Sequence, residues 1–383
     1  MSRILTDDQQ QLYGAAARFA RERLLPGYVT RDVTGTLDRT LVRELGELGL
    51  IGAELPSAYG GLGVSGETAG LLFEAVGYAD INVGYLQVLG SLCGAILLGS
   101  ASEAVALDWL PRICRGEAIV ALALTEPRGG SDAAQLELRA RRHAAGYVLS
   151  GEKTSISLAD EADGFVVFAR TGEQGSGARG ISAFLVDAKA PGVSATRFDS
   201  VGARVAGRGA VFFDEVEVPA NRCLGGEGQG FGQVMQGFDY SRALIGLQCV
   251  ASAQASIDET WDFVEQRQAF GAPLAANQGV SFALAEHETH LAAARELCYH
   301  TLRLRDAGLP HTVEAAMSKR LAPQSAYDAI HKCLLLHGHA GYDRGSRHQL
   351  RLRDVLGYEI GDGTAEIMNR IITRRRRPEF RGS

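Results

Sequence analysis

Residues 122–132 read LALTEPRGGSD, and the chain changes character across them. Upstream, helical patterns dominate. Residues 7–23 are Ala/Arg-rich with Leu12, Ala15, Ala16 and Phe19 in an amphipathic pattern, and Pro26 stops the run. A second helix spans 38–50 with Asp38 as N-cap, and 67–78, 83–98 and 102–110 follow. Downstream, β-type runs at 147–149, 165–168, 181–186 and 210–213 are separated by Gly and Asp/Asn turns. After LGGEGQGFG at 224–232, helical periodicity returns over 233–266, 278–306, 311–338 and 364–377. The layout is α+β: a helical domain over 1–118, a β domain over 119–222 and a second helical domain over 223–383.

At 383 residues the chain can bury two or three substantial cores. Hydrophobic content of 46%, charged content of 22% and a net charge of −6 fit a soluble protein with no general attraction to nucleic acid or anionic lipid. The apolar run 83–98 is broken by Gln87, glycines and Ser91 and falls short of a membrane span. The opening MSRILTDDQQ has no apolar core of a secretion signal. Six cysteines without a CxxC read as reduced thiols, so a cytoplasmic location is expected.

Familiar motifs fail on context. Gly61 to Gly66 spells GxGxxG, but Pro56 interrupts the segment before it and no βαβ series follows. His287 and His290 are i and i+3, not the i and i+4 of a zinc helix, and no metal site is expected. There is no GxSxG elbow. Such a chain does its chemistry through an organic cofactor, or does none. The opening stretch supplies hydroxyls at Thr125 and Ser131 and a glycine turn whose backbone N–H groups can meet ligand oxygens. Ser155 and Ser157, two apart, share one face if 150–157 is a strand. Residues 353–372, RDVLGYEIGDGTAEIMNRII, hold a Gly361-Asp362-Gly363-Thr364 turn before Ile367, Met368, Ile371 and Ile372 on one helix face.

TEPRGGSD resembles the TEPxxGSD signature of the acyl-CoA dehydrogenase family. In order, ELGLIGAELPSAYGGLG, GYVLSGEKTSIS, VPANRCLGGEGQGF, FDYSRALIG, RQAFGAPLAANQ, HGHAGYDR and RDVLGYEIGDGTAEI resemble its successive landmarks over the whole chain. The resemblance implies a β-barrel or sandwich between an N-terminal helical domain and a C-terminal four-helix bundle, with FAD held between them in a homotetramer. It places Leu122, Leu124, Thr125, Gly130, Ser131, Ser155 and Ser157 along the flavin. Arg267, Phe270 and Gln278 would reach a neighbouring subunit's FAD, and Leu335, His339, Thr364 and Glu366 would complete the cofactor site. Ser131, Asp239, Arg242 and Gly363 would touch the substrate, a thioester of CoA or a carrier protein.

The implied chemistry is α,β-dehydrogenation, with a carboxylate removing the α-proton as the β-hydride passes to the flavin. The family's usual base is Glu; here it is Asp362, shorter by one methylene. The alternative base position of some relatives is Ser241, which cannot serve. Asp80 is a second candidate base, or else a helix N-cap. Ser155 replaces an aromatic residue beside the flavin, which bears on docking of an electron-transferring flavoprotein, and Leu335 replaces a glutamine. These departures suggest an unusual acyl group, such as a cyclohexane- or cyclohexene-carboxyl thioester. Rival readings are a nitroalkane-oxidase-like enzyme using the same Asp with oxygen as acceptor, and a flavin-free scaffold.

Overall fold

The structure, a computed structural model, describes residues 4–173 and 175–377. Thr6 starts α1 (Asp7–Phe19) with a reciprocal capping box: its hydroxyl accepts from Gln9 N at 3.2 Å, and the Gln9 side chain accepts from Thr6 N at 3.1 Å. The helix does not stop at Pro26. It passes through a π turn and a 3-10 turn into α2 (Tyr28–Thr34), because Pro26 falls in a first turn, where its missing N–H costs nothing. Asp38 caps α3 (Arg39–Glu47) through Thr40 N at 2.8 Å. α4 (Gly66–Ala79), α5 (Ile81–Ser100) and α6 (Glu103–Cys114) complete this part.

α5 is, contrary to the sequence reading, long and apolar enough to cross a membrane, but most of it is buried inside the protein as a core helix. The GxGxxG spelling is the entry to α4. The first N–H groups there, of Gly66 and Glu67, donate to the Asp306 carboxylate at 2.9 and 3.0 Å, so an internal anion already takes the helix start.

Eight strands form one mixed sheet: β1 (Val120–Ala123), β2 (Arg139–His143), β3 (Gly146–Ser157), β4 (Gly164–Arg170), β5 (Ile181–Asp187), β6 (Val193–Arg197), β7 (Arg208–Pro219) and β8 (Cys223–Leu224). The order is β6-β7-β3-β2-β4-β5-β8, with β1 parallel to β4. The all-buried runs of β4 and β5 carry the centre, as continuous apolar strands covered on both faces do.

The C-terminal part comprises α7 (Gly230–Gln266), a hairpin of β9 (Gln268–Ala269) and β10 (Ala272–Pro273), then α8 (Gln278–Asp306), α9 (Thr312–Leu336), α10 (His339–Tyr342), α11 (Arg347–Ile360) and α12 (Ala365–Arg376). α11 was not anticipated from periodicity. Its buried side includes His348, Arg351 and Asp354 beside Leu350, Val355 and Tyr358, so charge occupies positions where a pattern search expects apolar residues. Each charge is met. Arg351 makes a fork with Glu259 at 2.7 and 3.0 Å. Asp354 accepts from Tyr28 Oη at 2.6 Å, Ala203 N at 2.7 Å and Asn82 Nδ2 at 2.8 Å. Through these contacts α11 joins α2, α5 and the β6–β7 loop, which brings its C-terminal turn against the sheet.

Candidate active site

The principal cleft, about 710 Å³, opens where the end of β1, the end of β3, α5, α7 and the turn before α12 meet. One wall is the loop after β1. Glu126 fixes its shape: the buried carboxylate accepts from Glu137 N at 2.6 Å and Leu138 N at 2.9 Å and pairs with Lys153 Nζ at 2.8 Å. Lys153 also donates to Leu124 O at 3.0 Å, and burial pushes its ammonium down to about 8. The loop's hydroxyl and glycine positions, Thr125, Gly130 and Ser131, then line the cleft with Leu122 and Leu124. At Gly130 a Cβ would stand 3.3 Å from the Thr125 methyl, so the turn stays slim where a ligand approaches.

Ser155 and Ser157 also line the cleft, though not by simple alternation. The β3–β7 register slips between Lys153 and Ile156, and Ser155 takes a left-handed backbone, φ 56°, at this bulge. The bulge re-aims the strand end into the cleft.

The Gly361–Thr364 turn lines the same cleft. Asp362 adopts φ 55° and lines the cleft, half-buried. Two cations clamp the turn by its carbonyls. Arg242 Nε donates to Asp362 O at 3.4 Å, and Lys319 Nζ donates to Gly363 O at 3.1 Å and to Tyr358 O at 2.5 Å. Burial raises the Asp362 carboxyl above the ordinary aspartate range, while Lys319, Arg242 and Arg208 pull the other way. Thr364 caps α12 through Ile367 N at 3.4 Å, and only Met368 of the four apolar residues expected on that helix is buried. Ile367 and Ile371 face the cleft instead of a core.

Three consecutive family models span this architecture: the acyl-CoA dehydrogenase N-terminal domain at 6–117, the middle domain at 121–216 and the C-terminal domain at 228–376. The chain belongs to the acyl-CoA dehydrogenase family. It is 32% identical to an acyl-CoA dehydrogenase of Bacillus subtilis over 97% of this chain and 98% of that one. The butyryl-CoA dehydrogenase structure from Megasphaera elsdenii matches at TM-score 0.94 and 31% identity, covering 98% and 99% of the two chains. A Mycobacterium smegmatis glutaryl-CoA dehydrogenase solved in complex with FADH2 matches at TM-score 0.92 and 25% identity, covering 98% and 95%. The chain is thus an FAD-dependent oxidoreductase of this family.

The dehydrogenase's cleft fits that cofactor. Thr125, Ser131 and Ser157 bring hydroxyl groups into the cleft, hydrogen-bonding partners suited to a flavin ring. Its volume lies in the range of cofactor sites. Arg242 is in the cleft wall, and Asp239 lies behind it, binding Arg242 Nη1 at 3.1 Å and the Thr312 hydroxyl at 2.6 Å.

Other residues fall elsewhere. Asp80 is fully buried away from the cleft lining; one oxygen accepts from Asn82 N at 3.0 Å and Val83 N at 3.1 Å, and the other pairs with Arg31 at 2.7 Å. It is the N-cap of α5, held by Arg31 outside the cleft lining, rather than a second base. Arg267, Phe270, Gln278, Leu335, His339 and Glu366 do not line this cleft and are exposed in the single chain. The sequence reading missed Tyr85, Arg208 and Lys319, all brought in by tertiary pairing; the only local signal was two isolated cations in apolar surroundings.

Proposed function

We propose that this dehydrogenase oxidises an acyl thioester across its α–β bond with Asp362 as the base. The observation that supports the reading is the clamped Gly361–Thr364 turn, whose half-buried Asp362 lines the same cleft as Thr125, Ser131, Ser155 and Ser157. Bound FAD supplies the hydride acceptor. Thr125, Ser131 and Ser157 hold and orient it. Asp362 takes the α-proton, and its own backbone N–H polarises the thioester carbonyl, a form of electrostatic stabilisation worth several kcal/mol. Arg242 and Lys319 keep the turn from yielding and oppose the rise that burial imposes on the carboxyl.

Asp reaches about 1.5 Å less than Glu. The small Ser155 in the cleft lining leaves breadth, which supports a compact, alicyclic acyl group over a long straight chain. The thioester is carried by CoA or a carrier protein, and an electron-transferring flavoprotein removes the electrons. The exposed Arg267, Phe270 and Gln278 support a homotetramer in which they contact a neighbour's cofactor; the large apolar Phe270 is fully exposed in the single chain. The test is anaerobic flavin bleaching by a thioester panel. Asp362→Asn should retain FAD and bleach at least about 10³-fold more slowly. Bleaching of the variant at the wild-type rate contradicts the assignment.

A further inference from the structure

Arg208 is a cleft cation that draws the Asp362 carboxyl down but has no ligand assigned to it in the reaction as described. It stands directly opposite Ser157 in the β3–β7 ladder, so both side chains leave the sheet on one face, and both line the cleft. Its Nη2 donates to Gly357 O at 3.3 Å. No carboxylate among the described residues forms an ion pair with it, and most of its five N–H donors remain uncommitted.

The fold makes room for this group. A Cβ at Gly357 would lie 2.9 Å from Nη2, and one at Gly361 would lie 3.7 Å from it. Two glycines one helical turn apart therefore clear a seat for a guanidinium beside the base. Behind it, a second cavity of about 270 Å³ shares Ala203 and Arg208 with the cleft and is also lined by Arg197 and Arg204. Arg197 is spent on Asp160 at 2.8 Å. Asp199 also lines that cavity, and Arg208 is the cation that the two cavities share.

A neutral hydrocarbon chain gains nothing from an unpaired guanidinium, and it bears the cost of stripping water from it. A carboxylate gains a fork of two charge-assisted hydrogen bonds. We infer that Arg208 selects acyl thioesters whose acyl group bears its own carboxylate, which the guanidinium binds at the junction of the two cavities. The inference rests on the α,β-dehydrogenase reading, and it adds the substrate class. Arg208 also offsets the repulsion between such a carboxylate and ionised Asp362.

The experiment compares matched pairs differing only in that group: glutaryl against pentanoyl thioester, and 3-carboxycyclohexanecarboxyl against cyclohexanecarboxyl thioester, by anaerobic flavin reduction and steady-state kinetics. The wild type should favour the carboxylate-bearing member of at least one pair by about 10- to 100-fold in kcat/KM, chiefly through KM. Arg208→Met should bring that ratio to one or below, and Arg208→Lys should restore part of it. A wild-type ratio near one in both pairs overturns the inference, whether or not the variants fold. So does an Arg208→Met ratio equal to wild type, or a wild-type preference for hydroxylated over carboxylated acyl groups. Failure of the base assignment looks different: Asp362→Asn would then bleach normally with every thioester.

Discussion

Asp362 combines three features that rarely coincide by accident: a left-handed backbone without a glycine, a cleft-facing carboxylate, and carbonyl clamps from Arg242 and Lys319. Burial raises its proton affinity, so the folded chain keeps the proton over a range of pH in which the unfolded chain has lost it. Stability therefore falls as pH rises through that range, while kcat/KM rises as the base ionises. Asp362→Asn, with no charge to bury, should melt higher than the wild type at neutral pH, with the difference closing below the ordinary aspartate pKa. Thermal melts across pH check this; a variant that melts no higher at neutral pH contradicts it. The turn itself was legible, since Gly-Asp-Gly-Thr before an apolar helix has few readings. Arg208, Tyr85 and Lys319 were not, because each arrives through a contact set by distant chain.

At the scale of elements, helix ends and caps were read well: Asp38 and the span of α8 stand where expected. Two elements were not. The bulge at Ser155 depends on the β7 partner and leaves no local mark. α11 buries charge, so periodicity missed it. That helix is held through Asp354, whose loss would leave the Tyr28 hydroxyl, the Asn82 amide and Ala203 N without their acceptor. Asp354→Ala is expected to cost about 3 kcal/mol or more, read as a lower denaturant midpoint at unchanged slope. A loss below about 1 kcal/mol would show that the junction of α11 with α2 and α5 rests on packing instead.

In the whole molecule, the order helical, β, helical was plain from composition, because apolar β runs and long helical periods do not mix along this chain. The assembly brings hydroxyl groups for a flavin and charged groups for the substrate into one cleft. The account's central claim is that a substrate lies between them with Asp362 on its far side. The most direct measurement is a structure of the assembled holoenzyme with a non-reactive thioester analogue. The prediction is the Asp362 carboxylate about 3–3.5 Å from the α-carbon, on the face opposite the isoalloxazine ring. A carboxylate turned from the analogue, or an analogue bound outside this cleft, would contradict the account.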